Sequence, residues 1–165
     1  MVKGTKAYNI TTVQGFTDAT IDVSRLLFTV SFSMLHNQDR CADAVQNSLL
    51  RAWEKRNSLR ESSKFKAWII KILINECKKI LKNESTSFLV DDIPAEQFGH
   101  DVKLDIANAV FKLNPKYRVP VAMFYYEDMP VNEIASVLDI PEGTITSQLL
   151  RARQQLRKEL SDYEV

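Results

Sequence analysis

The chain has 165 residues, enough for one domain or two small ones, and 22 basic against 21 acidic side chains leave a formal charge of only +1. With 45% apolar and 26% charged residues it lies near the globular average, which excludes a disordered or fibrous protein. The longest apolar run, residues 119–126, is too short to span a membrane, and residues 1–16 carry lysines but no apolar core of a signal peptide.

The small net charge hides an uneven distribution. Residues 1–36 sum to +1, residues 37–82 to +6, residues 83–105 to −5 and residues 106–165 to −1. A basic block, an acidic connector and a near-neutral block predict two units joined by a linker. Few glycines and prolines, four and five, argue against a turn-rich β fold. The periodicity is helical almost throughout. Residues 21–35 give a first, weakly amphipathic segment. Ala42, Val45, Leu49, Ala52 and Trp53 follow helical spacing, with Asp39 as the expected N-cap. Phe65, Trp68, Ile69, Ile72, Leu73, Cys77, Ile80 and Leu81 form a second stripe, opposite a face bearing Lys64, Lys71, Lys78, Lys79 and Lys82. Cys41 and Cys77 are too few for a disulfide framework or a four-thiolate zinc site, and they fit a reducing cytoplasm. The connector, residues 83–105, mixes acids with Phe88, Leu89, Val90, Ile93 and Phe98. It reads either as a piece docked on its own domain or as an acidic strand laid on another molecule's basic surface.

Beyond the connector, Ile106, Val110, Phe111 and Leu113 make a short stripe ending at Asn114-Pro115. Pro120 predicts a late start or a kink in the next helix, since an interior proline costs about 3 kcal/mol. Val131, Ile134, Ala135 and Leu138 form one face of a short helix, and Asp139-Ile140-Pro141 connects it to a longer one with Ile145, Leu149, Ala152, Leu156 and Leu160 inside. This is the layout of a helix-turn-helix, whose second helix enters a major groove. The outward face would present Glu142, Gly143, Thr144, Thr146, Ser147, Gln148, Arg151 and Arg153. Short hydroxyl and amide groups followed by arginines suit base edges followed by phosphates. Any antiparallel helix pair can imitate such a pattern.

Residues 113–160, LNPKYRVPVAMFYYEDMPVNEIASVLDIPEGTITSQLLRARQQLRKEL, resemble region 4 of bacterial sigma factors of the small extracytoplasmic-function group. Residues 43–53, with DAVQ and LRAW, and FKAW at residues 65–68 resemble region 2 of the same family. Two signatures in the right order, separated by an acidic linker, are more specific than either alone. The resemblance implies an all-α fold of two small helical domains: residues 1–82 for core polymerase and the minus-10 element, residues 83–105 as acidic linker, residues 106–165 for the minus-35 element. It implies core RNA polymerase (clamp and flap regions) and promoter DNA as partners, with Asp43, Gln46, Leu50 and Arg51 docking on the clamp. Arg60, Lys64, Lys71, Asn75, Lys78 and Lys79 would handle the minus-10 strand, Asn75 beside a flipped base. Trp53 and Trp68 are expected in the core. The minus-35 element falls to the outward face from Glu142 to Arg153. An acidic linker would occupy the basic RNA exit path. The resemblance further implies a cytoplasmic protein and an anti-sigma factor that can tether it to the membrane.

Some positions depart from the family. Thr146 and Gln148 stand where basic residues are usual, and each lost phosphate contact weakens binding and flattens its salt dependence. Asn47 and Ser48 replace an acid and a threonine, and the first 20 residues match poorly. Two other classes compete. A stand-alone dimeric regulator would have no need of the block from Asp43 to Trp68. An enzyme would need a motif that is missing: His36 and His100 lack metal-ligand spacing with the cysteines, and no phosphate loop, nucleophile elbow or acid pair is present. No cofactor, metal or small-molecule substrate is expected.

Overall fold

The computed structural model describes residues 7–84 and 108–161, so most of the acidic connector lies outside it. The described residues form six main helices joined by short turns, with no strand among them.

Helix α1 spans Val13–Leu35 and starts earlier than its periodicity predicts. The Thr12 side chain accepts from the Gly15 N–H at 3.1 Å, capping the helix. The preceding chain folds back so closely that a Cβ on Gly15 would lie 2.0 Å from the Asn9 carbonyl oxygen. Phe16 packs edge-on against Trp53 and Phe65, with ring centroids 5.2 and 5.9 Å away. Residues 7–20, part of a stretch unassigned from sequence, therefore close one end of the core, with Ile10, Phe16 and Ala19 buried.

Helix α2 spans Gln38–Lys55. Asn37, not Asp39, is its N-cap, accepting from the Arg40 N–H at 3.0 Å. Asp39 sits in the first turn instead, where its charge suits the helix dipole. Its buried residues, Cys41, Ala44, Ser48 and Ala52, are all small, which lets α1 and α3 approach closely. Two 3-10 turns, Arg56–Ser58 and Ser62–Lys64, lead to α3, Phe65–Glu84. Phe65, Ile69, Ile70, Leu73, Ile74 and Cys77 are its buried apolar stripe. Trp53 and Trp68 are half-buried at its edges, Trp53 beneath the Arg56 guanidinium at 3.7 Å. Both cysteines are free and wholly buried, and burial pushes the Cys77 thiol up to about 12. Neither is a reactive thiol in this fold.

In the second half, residues 108–112 are helical and α4 spans Pro115–Val121. Asn114 caps it and Pro115 opens its first turn. The disturbance expected from Pro120 takes the form of a π-helical turn, Ala122–Tyr126, directly after α4. Helix α5, Val131–Leu138, ends on Asp139 in the left-handed region at φ 55°, and α6 follows over Glu142–Ser161. The three-residue connection falls where the sequence places it. Ile134, Val137, Ile145, Leu149 and Ala152 are buried and join α5 to α6.

The two halves pack on each other along one seam. Phe111 meets Phe32 and His36 with ring centroids 5.4 and 4.6 Å away. Arg118 of α4, only 6% exposed, donates to the carbonyls of Ser33, Phe111 and Leu113. Its guanidinium thus serves the carbonyl-rich end of α1, where a cation is favoured by the helix dipole.

Candidate nucleic-acid and polymerase interfaces

Three helix faces carry the residues singled out from the sequence, and the structure treats them differently. On α2, Asp43, Gln46 and Leu50 are exposed and share one stripe with Asp39 and Glu54. Leu50 is 57% exposed, an apolar knob among acids, and is not a core residue. Arg51 leaves this stripe. Its guanidinium lies 2.6 Å from the buried carboxylate of Glu76 on α3.

On α3 most cations already hold a carboxylate. Lys79 pairs with Glu76, and Lys64, in the 3-10 turn just before the helix, pairs with Glu61. Lys71 pairs with Asp139 of the helix-turn-helix connection at 3.1 Å, and Lys66 with Glu133 of α5 at 3.2 Å. Lys71, Asn75 and Lys78 line a cleft of about 340 Å³ whose other wall is built by Lys116, Pro120, Asp139, Ile140 and Gln148. Arg60 is exposed in the loop between the 3-10 turns and stands away from that cleft.

On α6 the expected face is open. Glu142, Gly143, Thr144, Thr146, Ser147, Arg151 and Arg153 are all exposed. A Cβ on Gly143 would meet nothing within 4 Å, so the fold does not require this glycine and its backbone is bare to an approaching ligand. The Thr146 and Ser147 hydroxyls donate to the carbonyls of Glu142 and Gly143, which leaves their lone pairs facing outward as acceptors. Acceptors suit the amino groups of cytosine or adenine. Arg151 is held beside the Tyr117 hydroxyl, whose pKa it lowers by hydrogen bonding. Arg153 donates to the Tyr125 hydroxyl and lies over its ring.

Two residues depart from the sequence reading. Gln148 faces inward: its Oε1 is buried without a hydrogen-bond partner, in the wall of the cleft against α3. Its spacing from Ile145, Leu149 and Ala152 places it on the flank of the buried stripe, a signal present in the sequence. Leu150 was missed. It is 53% exposed in the middle of the open face, beside Thr146, Ser147 and Arg151. A leucine off the buried stripe, with nothing inside to pack on, was the available clue. Apolar groups in such a position suit thymine methyls.

Residues 22–86 match the family described as Sigma-70 region 2, and residues 103–156 match Sigma-70, region 4. Among curated relatives, the RNA polymerase sigma factor SigV of Bacillus subtilis (strain 168) is 28% identical over 162 residues, covering 95% of this chain and 93% of its own. The ECF RNA polymerase sigma factor SigW of the same organism is 25% identical, covering 82% and 83%. Among solved structures, the sigma factor RpoE in complex with the anti-sigma factor NepR from Bartonella quintana superposes with a TM-score of 0.75 at 25% identity, covering 90% of this chain and 98% of that one. CnrH in complex with the cytosolic domain of CnrY shares the fold at a TM-score of 0.70.

The chain belongs to the sigma-70 family, in its extracytoplasmic-function group. It is a transcription initiation factor that directs promoter use, not an enzyme.

Proposed function

We propose that the exposed stripe of α2 docks on the polymerase clamp through Asp43, Gln46 and Leu50, with Arg51 joining on release from Glu76. The lysine face of α3 then carries the non-template strand of the minus-10 element, with Asn75 at a flipped base, and the open face of α6 reads the minus-35 duplex. The unit boundaries follow the charge blocks: residues 1–82, a connector over residues 83–105, and residues 106–165. The single observation that carries this reading is the pairing, within one chain, of a cation-lined helix with a helix-turn-helix whose polar face is bare. Thr146 and inward-facing Gln148 leave that face with few cations, so affinity for the minus-35 element leans on the polymerase.

An anti-sigma factor is the expected inhibitor, since one structural relative is described in complex with one. No helix among the described residues is long and apolar enough to cross a membrane. A cytoplasmic factor, drawn to the membrane when its inhibitor is anchored there, fits that observation.

The test is gel filtration of the chain with bacterial core polymerase, followed by run-off transcription. Co-elution and promoter-dependent transcripts are expected. Failure to co-elute, with tight duplex binding by the chain alone, would favour a stand-alone regulator. Within an active holoenzyme, Asn75→Ala should slow strand opening at a fixed minus-35 element, read by permanganate reactivity of unpaired thymines. Unchanged opening would remove Asn75 from the site.

A further inference from the structure

Among the described residues three ion pairs that cross the seam have the same polarity. The cations, Arg25, Lys66 and Lys71, belong to the first half; the carboxylates, Glu127, Glu133 and Asp139, belong to the second. The separations are 3.4, 3.2 and 3.1 Å. The acids sit just after the π-helical turn, on α5 and in the helix-turn-helix connection, so they approach the basic half as a spaced row of anions. Asp139 takes Lys71, one of the two α3 lysines that line the cleft with Asn75, and Gln148 and Lys116 face them from the opposite wall.

We propose that this arrangement is an internal decoy. Carboxylates of the helix-turn-helix unit occupy positions on and beside α3 that backbone phosphates of a single strand would take. The isolated chain is thereby closed to minus-10 DNA while its α6 face stays open to duplex. The inference rests on the reading of α3 given above.

The energetics fit a clasp that DNA and polymerase can displace. Lys71 and Asp139 are 41% and 80% exposed, and so exposed a pair contributes little and weakens with salt. The seam is held instead by Phe111 against Phe32 and His36, and by Arg118 on the end of α1. Opening therefore means parting α1 from α4, after which the exposed pairs offer little resistance. The cost falls on the apolar part of the seam, while the charged part decides which ligand is excluded.

The test uses the full chain and two variants. Phe111→Asp breaks the apolar part of the seam. Glu133→Gln combined with Asp139→Asn neutralises the decoy on the surface and leaves the core untouched. Binding of a short fluorescein-labelled oligothymidylate is followed by anisotropy across a salt series. Both variants should bind more tightly than the parent. The slope of log K against log salt should steepen by about 0.7 for each cation released, Lys66 and Lys71 in the double variant. Adding Lys71→Ala to either variant should remove the Lys71 share of that change, and duplex binding through α6 should stay the same. Unchanged oligonucleotide affinity in both variants, or a gain undiminished by Lys71→Ala, overturns the decoy. Run-off transcription by the parent with core polymerase separates the two readings. Transcripts without a gain in the variants sink the decoy alone, whereas no transcripts at all sink the sigma-factor assignment of α3 on which it rests.

Discussion

Helices α3 and α6 are both 20 residues long, both carry a buried apolar stripe, and both present a polar face assigned to DNA. They differ in what that face meets. On α3, Lys66, Lys71 and Lys79 each hold a carboxylate of the same chain, and Asn75 looks into a cleft. On α6, Gly143, Thr146, Ser147 and Leu150 face solvent, and the hydroxyls spend their protons on their own helix. A face that binds by charge finds substitutes for its ligand inside the molecule. A face that reads shape and hydrogen-bond pattern does not. The contrast teaches that the two surfaces proposed to bind DNA can stand in different states of readiness without any change in secondary structure.

The largest way to break the contrast is Arg118→Ala. It leaves the carbonyls of Ser33, Phe111 and Leu113 without their donor and loosens α1 from α4. We expect a loss of about 3 kcal/mol in urea unfolding, together with a larger radius of gyration in solution. Arg151→Ala acts on the open face alone. It should weaken minus-35 duplex binding by about 1–3 kcal/mol and leave oligonucleotide binding unchanged, as fluorescence anisotropy would show.

Leu150→Ala sharpens the comparison further. If this leucine packs on a thymine methyl, replacing thymine by deoxyuridine in the minus-35 duplex should cost the parent about 0.8 kcal/mol and cost the variant nothing. Equal losses in both proteins would take Leu150 out of the readout.

The smallest effect concerns the seam and pH. Burial, and then the charge of Arg118, lower the pKa of His36 to about 4 from an ordinary 6.5. The unfolded chain therefore takes up this proton first. The contribution of neutral His36 is complete above about pH 6.5 and is lost as pH falls toward 4. His36→Asn keeps the left-handed cap, which asparagine tolerates, and removes the titration. Urea midpoints measured between these pH values should fall less steeply for the variant than for the parent.

Periodicity made the helices legible, and Asp139-Ile140-Pro141 located the connection before α6. The exposure of the α6 face was legible for the same reason, since a residue off the buried stripe faces out. Gln148 failed because it lies on the edge of that stripe, where a polar residue is tolerated in a cleft wall. The seam was not legible at all. Arg25 reaches Tyr126 across 101 positions and Lys71 reaches Asp139 across 68, and each looks in sequence like an ordinary surface charge. Arg118 did leave a trace, a lone cation among Tyr117, Val119, Pro120 and Val121. Helical spacing says which face turns inward, but not which other helix it finds there. Residues 7–20 were lost for a related reason. Their fixed point is the closeness of Gly15 to the Asn9 carbonyl, and a single glycine announces no partner.

Glu76 has a consequence for how polymerase and DNA sense each other. Its side chain is 8% exposed, and one oxygen serves both Arg51, on the helix assigned to polymerase, and Lys79, on the helix assigned to DNA. The carboxylate is a shared counterion placed between two surfaces. A partner that draws Arg51 toward itself leaves Glu76 to Lys79 alone and tightens that lysine's hold. A phosphate that draws Lys79 away does the same for Arg51. On the proposed roles of α2 and α3, one buried charge then sets an exchange between the two binding events, in which each ligand alters the strength with which the chain retains the cation proposed to serve the other.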